Sequence, residues 1–392
     1  MITYNFGYMK IHLALLIRSL QRGGAERQLI TLANNLNHDL FKISIITFYQ
    51  GGDLIDQITG SHIKIYNLEK KNRWDILRFV IRYLKLIASI KPDILHGYLP
   101  MANIFVTLAK LFYPNIKFIY GVRSASINLT HYDWLARLEY QTEAFLSRFA
   151  DCIIVNSEQG RNYCLLHRFP SNKIVVIPNG IDTKVFHPDE AAGIAFRQRW
   201  HIPLDRILIG LVARLDPIKN HHIFLQAISK IIAHYPQVVF ACIGSGNEAY
   251  QKELLDHSKQ LGISDYLYWI PAQPNMLEVY NALDICCNVS ESEGFSNVIG
   301  EAMACGIPCV ASDVGDSRII IGETGIIFPP GNAEALAEAI QTMIHMEKTN
   351  RIRLGEKARL RIENNYSLEK MLRRTEAILT NLIRQNSSKP LP

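Results

Sequence analysis

The sequence predicts an α/β protein of two Rossmann-like, doubly wound domains facing each other across a cleft. Three observations lead there. The chain has 392 residues, more than one ordinary core holds and enough for two. Short apolar runs alternate with helical segments along both halves, as parallel βαβ units require. One polar stretch, opening at Pro178-Asn179-Gly180-Ile181-Asp182, separates the two series.

In the first series the runs are Ile11–Ile17, Ile43–Phe48, Ile63–Tyr66, Ile94–His96, Lys117–Val122, Cys152–Asn156 and Ile174–Ile177. In the second they are Ile207–Ala213, Val238–Ile243, Leu267–Pro271, Ile285–Val289 and Cys309–Ala311. The expected division is a first domain over 1–182, a linker over 183–204, a second domain over 205–366, and a final segment 367–392. That last segment holds a helix at Ser367–Arg384 and a polar tail, Gln385–Pro392, expected to fray. Met9 competes with Met1 as the start, because the first eight residues carry no recognisable role.

Hydrophobic content of 48% and charged content of 20% are those of a soluble globular chain. No apolar run approaches the ~18 residues a membrane span needs. Seven cysteines, odd in number and without a Cys-x-x-Cys pair, read as buried reduced thiols of a cytoplasmic protein, and argue against zinc. The net charge of +6 is unevenly spread. Residues 1–180 hold 21 Lys+Arg and 12 Asp+Glu (+9), and the remainder 21 and 24 (−3). A basic first half suits an anionic partner such as the inner membrane face or a lipid phosphate. Nucleic acid is set aside because aromatics and basic residues are not interleaved in any recognised motif. The basic, amphipathic stretch Trp74–Lys91, with Arg78, Arg82 and Lys85 on one side and Leu77, Val80, Ile81, Leu84 and Ile87 on the other, is either a peripheral membrane contact or an ordinary sheet-covering helix.

The run Glu291-Ser-Glu293-Gly-Phe295-Ser296-Asn297-Val298-Ile-Gly-Glu301 is the most informative segment. It reads as strand, tight loop, helix, with Ser296 as N-cap, Gly306 near the C-cap and Pro308 blocking continuation. Glu293 falls in the loop and Glu301 one turn into the helix. A helix N-terminus attracts phosphate, whereas a carboxylate beside it suits sugar hydroxyls. Arg214 and Lys219, five apart at a strand end, could clamp a diphosphate and neutralise it as it departs. No Asp-x-Asp occurs to carry a metal for that purpose, and no metal site is expected. Gly244 and Gly246 open a helix after another strand, as Gly23 and Gly24 do after the first; each pair either lets backbone approach a ligand or only shapes a turn. Gly244-Ser-Gly246 lacks the third glycine of a dinucleotide fingerprint. His96 and Arg123 stand at strand ends, where loops face ligands, though a lone histidine is more often core.

Taken in order, Gly23-Gly24-Ala-Glu26, Pro178–Asp182, Arg214 with Lys219, Gly244-Ser-Gly246, the Glu-x7-Glu pair and Asp313-Val-Gly-Asp316 resemble glycosyltransferase family 4, retaining enzymes of GT-B fold. The likeness covers nearly the whole chain. The surroundings of His96 and Arg123 look most like transferases that build bacterial O-antigen, lipopolysaccharide and capsule.

The resemblance implies the roles. Arg214 and Lys219 bind the donor diphosphate and stabilise it as leaving group. Glu301 holds the ribose, and Glu293 contacts the donor sugar, with a covalent nucleophile role as the minority option. Phe295, Ser296, Asn297 and Val298 contact sugar and phosphate, Pro271–Met276 neighbours the base, and Gly23 and Gly24 approach from the first, acceptor-side domain. The final helix crosses back to that domain. No cofactor is implied; the partners are a nucleoside-diphosphate sugar, UDP-linked rather than GDP-linked by family frequency, and a glycan or lipid-linked glycan acceptor. The chain departs from the family where Gly121-Val-Arg123 replaces a histidine that contacts the donor sugar, so His96 and Arg123 fall to the sugar or acceptor side. Other readings are a nucleotide-sugar epimerase and a non-catalytic nucleotide-sugar-binding subunit.

Overall fold

The computed structural model describes residues 10–21, 23–72, 74–123 and 134–387. Met9, Arg73 and the last residues of the polar tail lie outside the described residues. Two compact units divide the chain: residues 1–178 with 371–392, and Asn179–Lys370.

The first unit is built on seven parallel strands, β1 (Ile11–Ile17), β2 (Phe41–Thr47), β3 (Lys64–Asn67), β4 (Ile94–Tyr98), β5 (Lys117–Val122), β6 (Cys152–Val155) and β7 (Ile174–Val176), in the order β3-β2-β1-β4-β5-β6-β7. Strands β1, β4 and β5 are apolar on both faces because helices cover both faces, so no alternation is needed. Strand β7, at the edge, is only partly covered. The second unit has six parallel strands, β8 (Ile207–Val212), β9 (Val238–Ile243), β10 (Leu267–Ile270), β11 (Ile285–Asn288), β12 (Cys309–Ser312) and β13 (Gly325–Phe328), in the order β10-β9-β8-β11-β12-β13. Strand β13, which the sequence reading lacks, opens on a glycine and ends before Pro329, with three apolar residues between them. Its cores lie on both faces of the sheet, one around Phe196, Tyr280 and Ile299, the other around Phe224, Phe240 and Ile340.

In each sheet the chain reverses its direction of travel once, between β1 and β4 and between β8 and β11. Loops at the carboxyl ends of such neighbours diverge and leave a crevice, where open α/β sheets bind ligands.

The expected linker, 183–204, instead folds into the second unit. Helix Glu190–Arg199 starts on an Asp189 cap, whose carboxylate accepts from Ala192 N–H at 3.0 Å. Arg197 is buried and donates to the Ala282 carbonyl at 2.8 Å and to Asp284 at 2.7 Å. The stretch reads as a linker because it is polar, but Arg197 is satisfied by partners inside the unit. The boundary falls before Asn179, whose amide donates to Asn297 Oδ1 at 2.9 Å.

The basic stretch forms helix Ile76–Ile90. It buries Phe79, Tyr83 and Ile87, and leaves Leu77 and Ile81 exposed beside Arg78 and Lys85, which differs from the expected division of faces. Arg82 is drawn back onto the protein by Asp75 at 2.8 Å and the Leu68 carbonyl at 2.8 Å. Among the described residues no helix is long and apolar enough to cross a membrane. All seven cysteines are buried and unpaired.

Helix Trp134–Leu146 carries one buried acid. Burial pushes the Glu143 carboxyl up to about 8, opposed by the Asn103 amide that donates to it at 2.6 Å. The folded pKa is raised, so stability is fullest below the unfolded value near 4.5 and is lost as pH rises toward about 8. Glu143→Gln is expected to shrink the fall in Tm between pH 5 and pH 8, read by thermal unfolding at both; an unchanged difference contradicts the assignment.

Candidate functional site

The loop after β8 is shaped by Asp216. Its carboxylate accepts from Ile218 N–H at 3.1 Å, tightening Pro217–Lys219 into one turn, and accepts from Arg214 at 2.8 Å. Asn220 then adopts a left-handed conformation, φ 50°, and helix His221–Ile231 begins. This reversal turns Lys219 toward the loop after β11, where its ammonium lies 2.5 Å from Glu293 Oε1. The Ser290 hydroxyl donates to the same oxygen at 2.7 Å. Glu291 N–H donates to the Ile218 carbonyl at 2.9 Å, and the Asn220 amide to Glu291 at 3.2 Å. Two loops that diverge at the β8/β11 crevice are thus knitted across it, with Lys219 and Glu293 in contact and Arg214, largely exposed, beside them.

The loop after β12, Asp313-Val-Gly315-Asp316, braces the Glu293 loop. Asp316 N–H donates to the Gly294 carbonyl at 2.9 Å. Gly315 has φ 55°, and a Cβ there would lie 2.4 Å from the Glu293 carbonyl oxygen. No side chain fits between the two loops.

Helix Asn297–Ala304 begins where expected. The Ser296 hydroxyl caps it by accepting from Ile299 N–H at 3.5 Å, and receives the Asn288 amide at 3.1 Å. Gly306 follows its end with φ 76°. The helix itself offers no partner to the N–H groups of Asn297 and Val298. Phe295 is buried and packs edge-on against Tyr366 at 5.5 Å, Asn297 is engaged by Asn179, and Val298 leans on the core. Glu301 is buried, with Oε2 accepting from the Tyr280 hydroxyl at 2.7 Å.

Gly244 and Gly246 have a reason of their own. A Cβ at Gly244, φ 155°, would lie 1.9 Å from the Ala213 carbonyl oxygen, and one at Gly246 would lie 2.1 Å from that of Leu215. These glycines let the β9 loop lie directly on the Arg214 loop, bonded through Leu215 N–H to the Ser245 carbonyl at 3.1 Å. They set the position of Arg214.

The remaining candidates belong to the first unit. Gly23 precedes helix Gly24–Asn35 in an extended conformation open to any residue, φ −157°. His96 and Tyr98 lie on β4, and Arg123 follows β5. The His96 ring is 1% exposed, and burial, then the Arg123 charge, hold it well below its ordinary pKa.

Ser290, Tyr280 and Asn179 were not singled out as contacts to Glu293, Glu301 and Asn297; a serine at a strand end and a tyrosine in a short helix carry no sequence signal of that kind. Nor was His221, buried under the Lys219 turn and lowered to about 4 by burial, then by His222 and Lys219. Among the described residues no group of three or more His, Cys, Asp or Glu is placed to hold a metal ion.

Two family models match the chain in tandem: Glycosyltransferase Family 4 over residues 22–185 and Glycosyl transferases group 1 over 194–361. Among curated relatives, the D-inositol 3-phosphate glycosyltransferase of Thermobispora bispora is 31% identical over 207 residues, 49% of this chain and 48% of that protein. The chain's match thus spans about half the length of such relatives. The capsular polysaccharide biosynthesis glycosyltransferase CapM of Staphylococcus aureus is 26% identical over 330 residues, 80% of this chain and 83% of that protein. Among solved structures, Anabaena Alr3699/HepE, crystallised with UDP, superposes with a TM-score of 0.83 at 22% identity, covering 95% of this chain and 100% of that one. WaaG, a glycosyltransferase involved in lipopolysaccharide biosynthesis, superposes with a TM-score of 0.75 at 14% identity, covering 94% and 99%. With two parallel-sheet units and tandem models from residue 22 to 361, the chain belongs to the GT-B glycosyltransferases that join a family 4 domain to a group 1 domain.

Proposed function

We propose that this protein moves a sugar from a UDP-sugar to a hydroxyl of a glycan acceptor, with retention at the anomeric carbon and without a divalent metal. The observation that carries the reading is the Lys219–Glu293 contact beside Arg214, at the crevice between β8 and β11. Support for the donor comes from Alr3699/HepE, whose crystals hold UDP or UDP-glucose.

In the resting site the Lys219 charge is balanced by Glu293. A donor diphosphate brings negative charge to Arg214 and Lys219 and takes over part of that balance, leaving Glu293 beside the sugar. As the bond from C1 to the diphosphate oxygen breaks, its electron pair leaves with the nucleoside diphosphate, and the two cations stabilise the growing charge. The acceptor oxygen bonds to C1 on the same face, and its proton passes to a diphosphate oxygen. The backbone N–H groups of Asn297 and Val298 point the positive end of their helix at the phosphates. Glu301, steadied by Tyr280, takes the ribose hydroxyls.

The reading is tested by incubating UDP-sugars with glycan acceptors in chelator and following the products by proton NMR. An α-donor is expected to give an α-linked product. A β-linked product overturns retention, and an isomerised donor without acceptor points to an epimerase. The same reading places the acceptor on a lipid at the cytoplasmic face of the membrane, with Trp74, Leu77 and Ile81, exposed among Arg78 and Lys85, resting on anionic headgroups. Co-sedimentation with phosphatidylglycerol vesicles, but not phosphatidylcholine vesicles, is expected; equal or absent binding to both contradicts it.

A further inference from the structure

The first unit holds a cavity of its own beside the carboxyl end of β4. Its polar walls come from Gln28 on the helix after β1, His96 and Tyr98 on β4, Arg123 after β5, and Thr375 on the last helix. The cavity measures about 280 Å³ including the part open to solvent, and only a small part of it is enclosed. The enclosed part therefore admits one oxygen-sized group, with room outside for the rest of a ligand.

The lining is unusual for a core. His96 is 1% exposed, and neither ring nitrogen has a hydrogen-bond partner. Leaving such atoms unmet is unfavourable. The Arg123 guanidinium lies over the Tyr98 ring at 4.7 Å, and the His96 and Tyr98 rings are 4.6 Å apart. Residue 121, beside it, is glycine: a Cβ there would sit 2.6 Å from the Gly97 carbonyl oxygen and 3.1 Å from His96 Nε2. The scaffold is fixed from behind. Asn103 accepts from Gly121 N–H at 3.1 Å and donates to Glu143 at 2.6 Å. Directly after Tyr98, Leu99 holds φ 73° and ψ 161°, a conformation other than glycine seldom adopts. Strain kept at such a place, beside unmet polar atoms and a cation, marks a site and not a packing accident.

We propose that His96, Tyr98 and Arg123 form a subsite for an oxyanion, a phosphate or carboxylate carried by the acceptor. One oxygen enters the cavity and accepts from the imidazole N–H and the tyrosine hydroxyl, and the guanidinium balances the charge. A neutral sugar hydroxyl gains the hydrogen bonds but not the charge term. This rests on the transferase reading, since it assigns the ligand to the acceptor.

The test uses the full chain and three probes, glycerol 1-phosphate, methyl glucuronide and methyl glucoside, titrated by ligand-observed NMR with UDP binding followed in the same samples. At least one anion is expected to bind tenfold or more tightly than the glucoside, and which one separates a phosphate-bearing from a uronate-bearing acceptor. Arg123→Gln is expected to weaken that binding at least tenfold with UDP affinity kept, and Tyr98→Phe to weaken it less. Equal binding of all three probes, or unchanged anion binding in both variants, overturns the subsite. So does the absence of anion binding in protein that still binds UDP. Loss of UDP binding with anion binding intact would instead tell against the donor site and leave the subsite standing.

Discussion

Lys219→Met is expected to lower kcat by roughly two to three orders of magnitude, the effect of removing one preorganised donor from a site where charge develops. The ammonium sits on a single turn pinned by Asp216 and is already directed across the β8/β11 crevice, so it needs no reorganisation to meet a departing diphosphate. Methionine keeps the length of the stem, and the loops stay joined through Glu291 and Ile218, so the fold is expected to survive. The variant also leaves Glu293 with Ser290 but without its cation, which raises the cost of bringing an anionic donor beside it. Steady-state kinetics with circular dichroism at the same temperature reads both. Near-normal turnover in a folded variant contradicts the role given to Lys219.

Gly315→Ala is expected to act on the same carboxylate from the other side. At φ 55° an alanine is strained, which costs about 1–3 kcal/mol. Its Cβ would also lie 2.4 Å from the Glu293 carbonyl oxygen and 2.5 Å from that of Gly294, distances that backbone cannot accept. The Glu293 loop must move, and the Lys219 contact with it. A misplacement of about 1 Å can cost roughly a hundredfold in rate. Both a lower Tm and a lower kcat are expected, against a control such as Gly331→Ala, where φ is also positive but nothing lies within 4 Å. If Gly315→Ala and the control lose the same stability and neither loses activity, the brace has no part in positioning Glu293.

The strands were legible because buried parallel strands are continuous apolar runs: Ile11–Ile17, Lys117–Val122 and Val238–Ile243 stand where their composition puts them. Ser296, Gly306 and Pro308 marked helix Asn297–Ala304 through local chemistry alone. What depends on distant partners was not readable. Helix Glu190–Arg199 reads as linker in the sequence because the partners of Arg197, at Ala282 and Asp284, are more than eighty residues away. The inward turn of Phe295 depends on Tyr366, seventy-one positions later, and the demand for glycine at 244 and 246 depends on the Arg214 loop. The sequence separates Glu293, in the loop, from Glu301, inside the helix, but not their partners, a lysine for one and a buried tyrosine hydroxyl for the other.

The central claim is that the β8/β11 crevice holds a nucleoside diphosphate between Arg214, Lys219 and the start of helix Asn297–Ala304. Isothermal titration of UDP into the wild-type chain and into Arg214→Ala, in chelator, tests it most directly. The account predicts one equivalent bound by the wild type and affinity at least tenfold weaker in the variant. Absence of binding to folded wild-type protein, or equal affinity in the two, would contradict it.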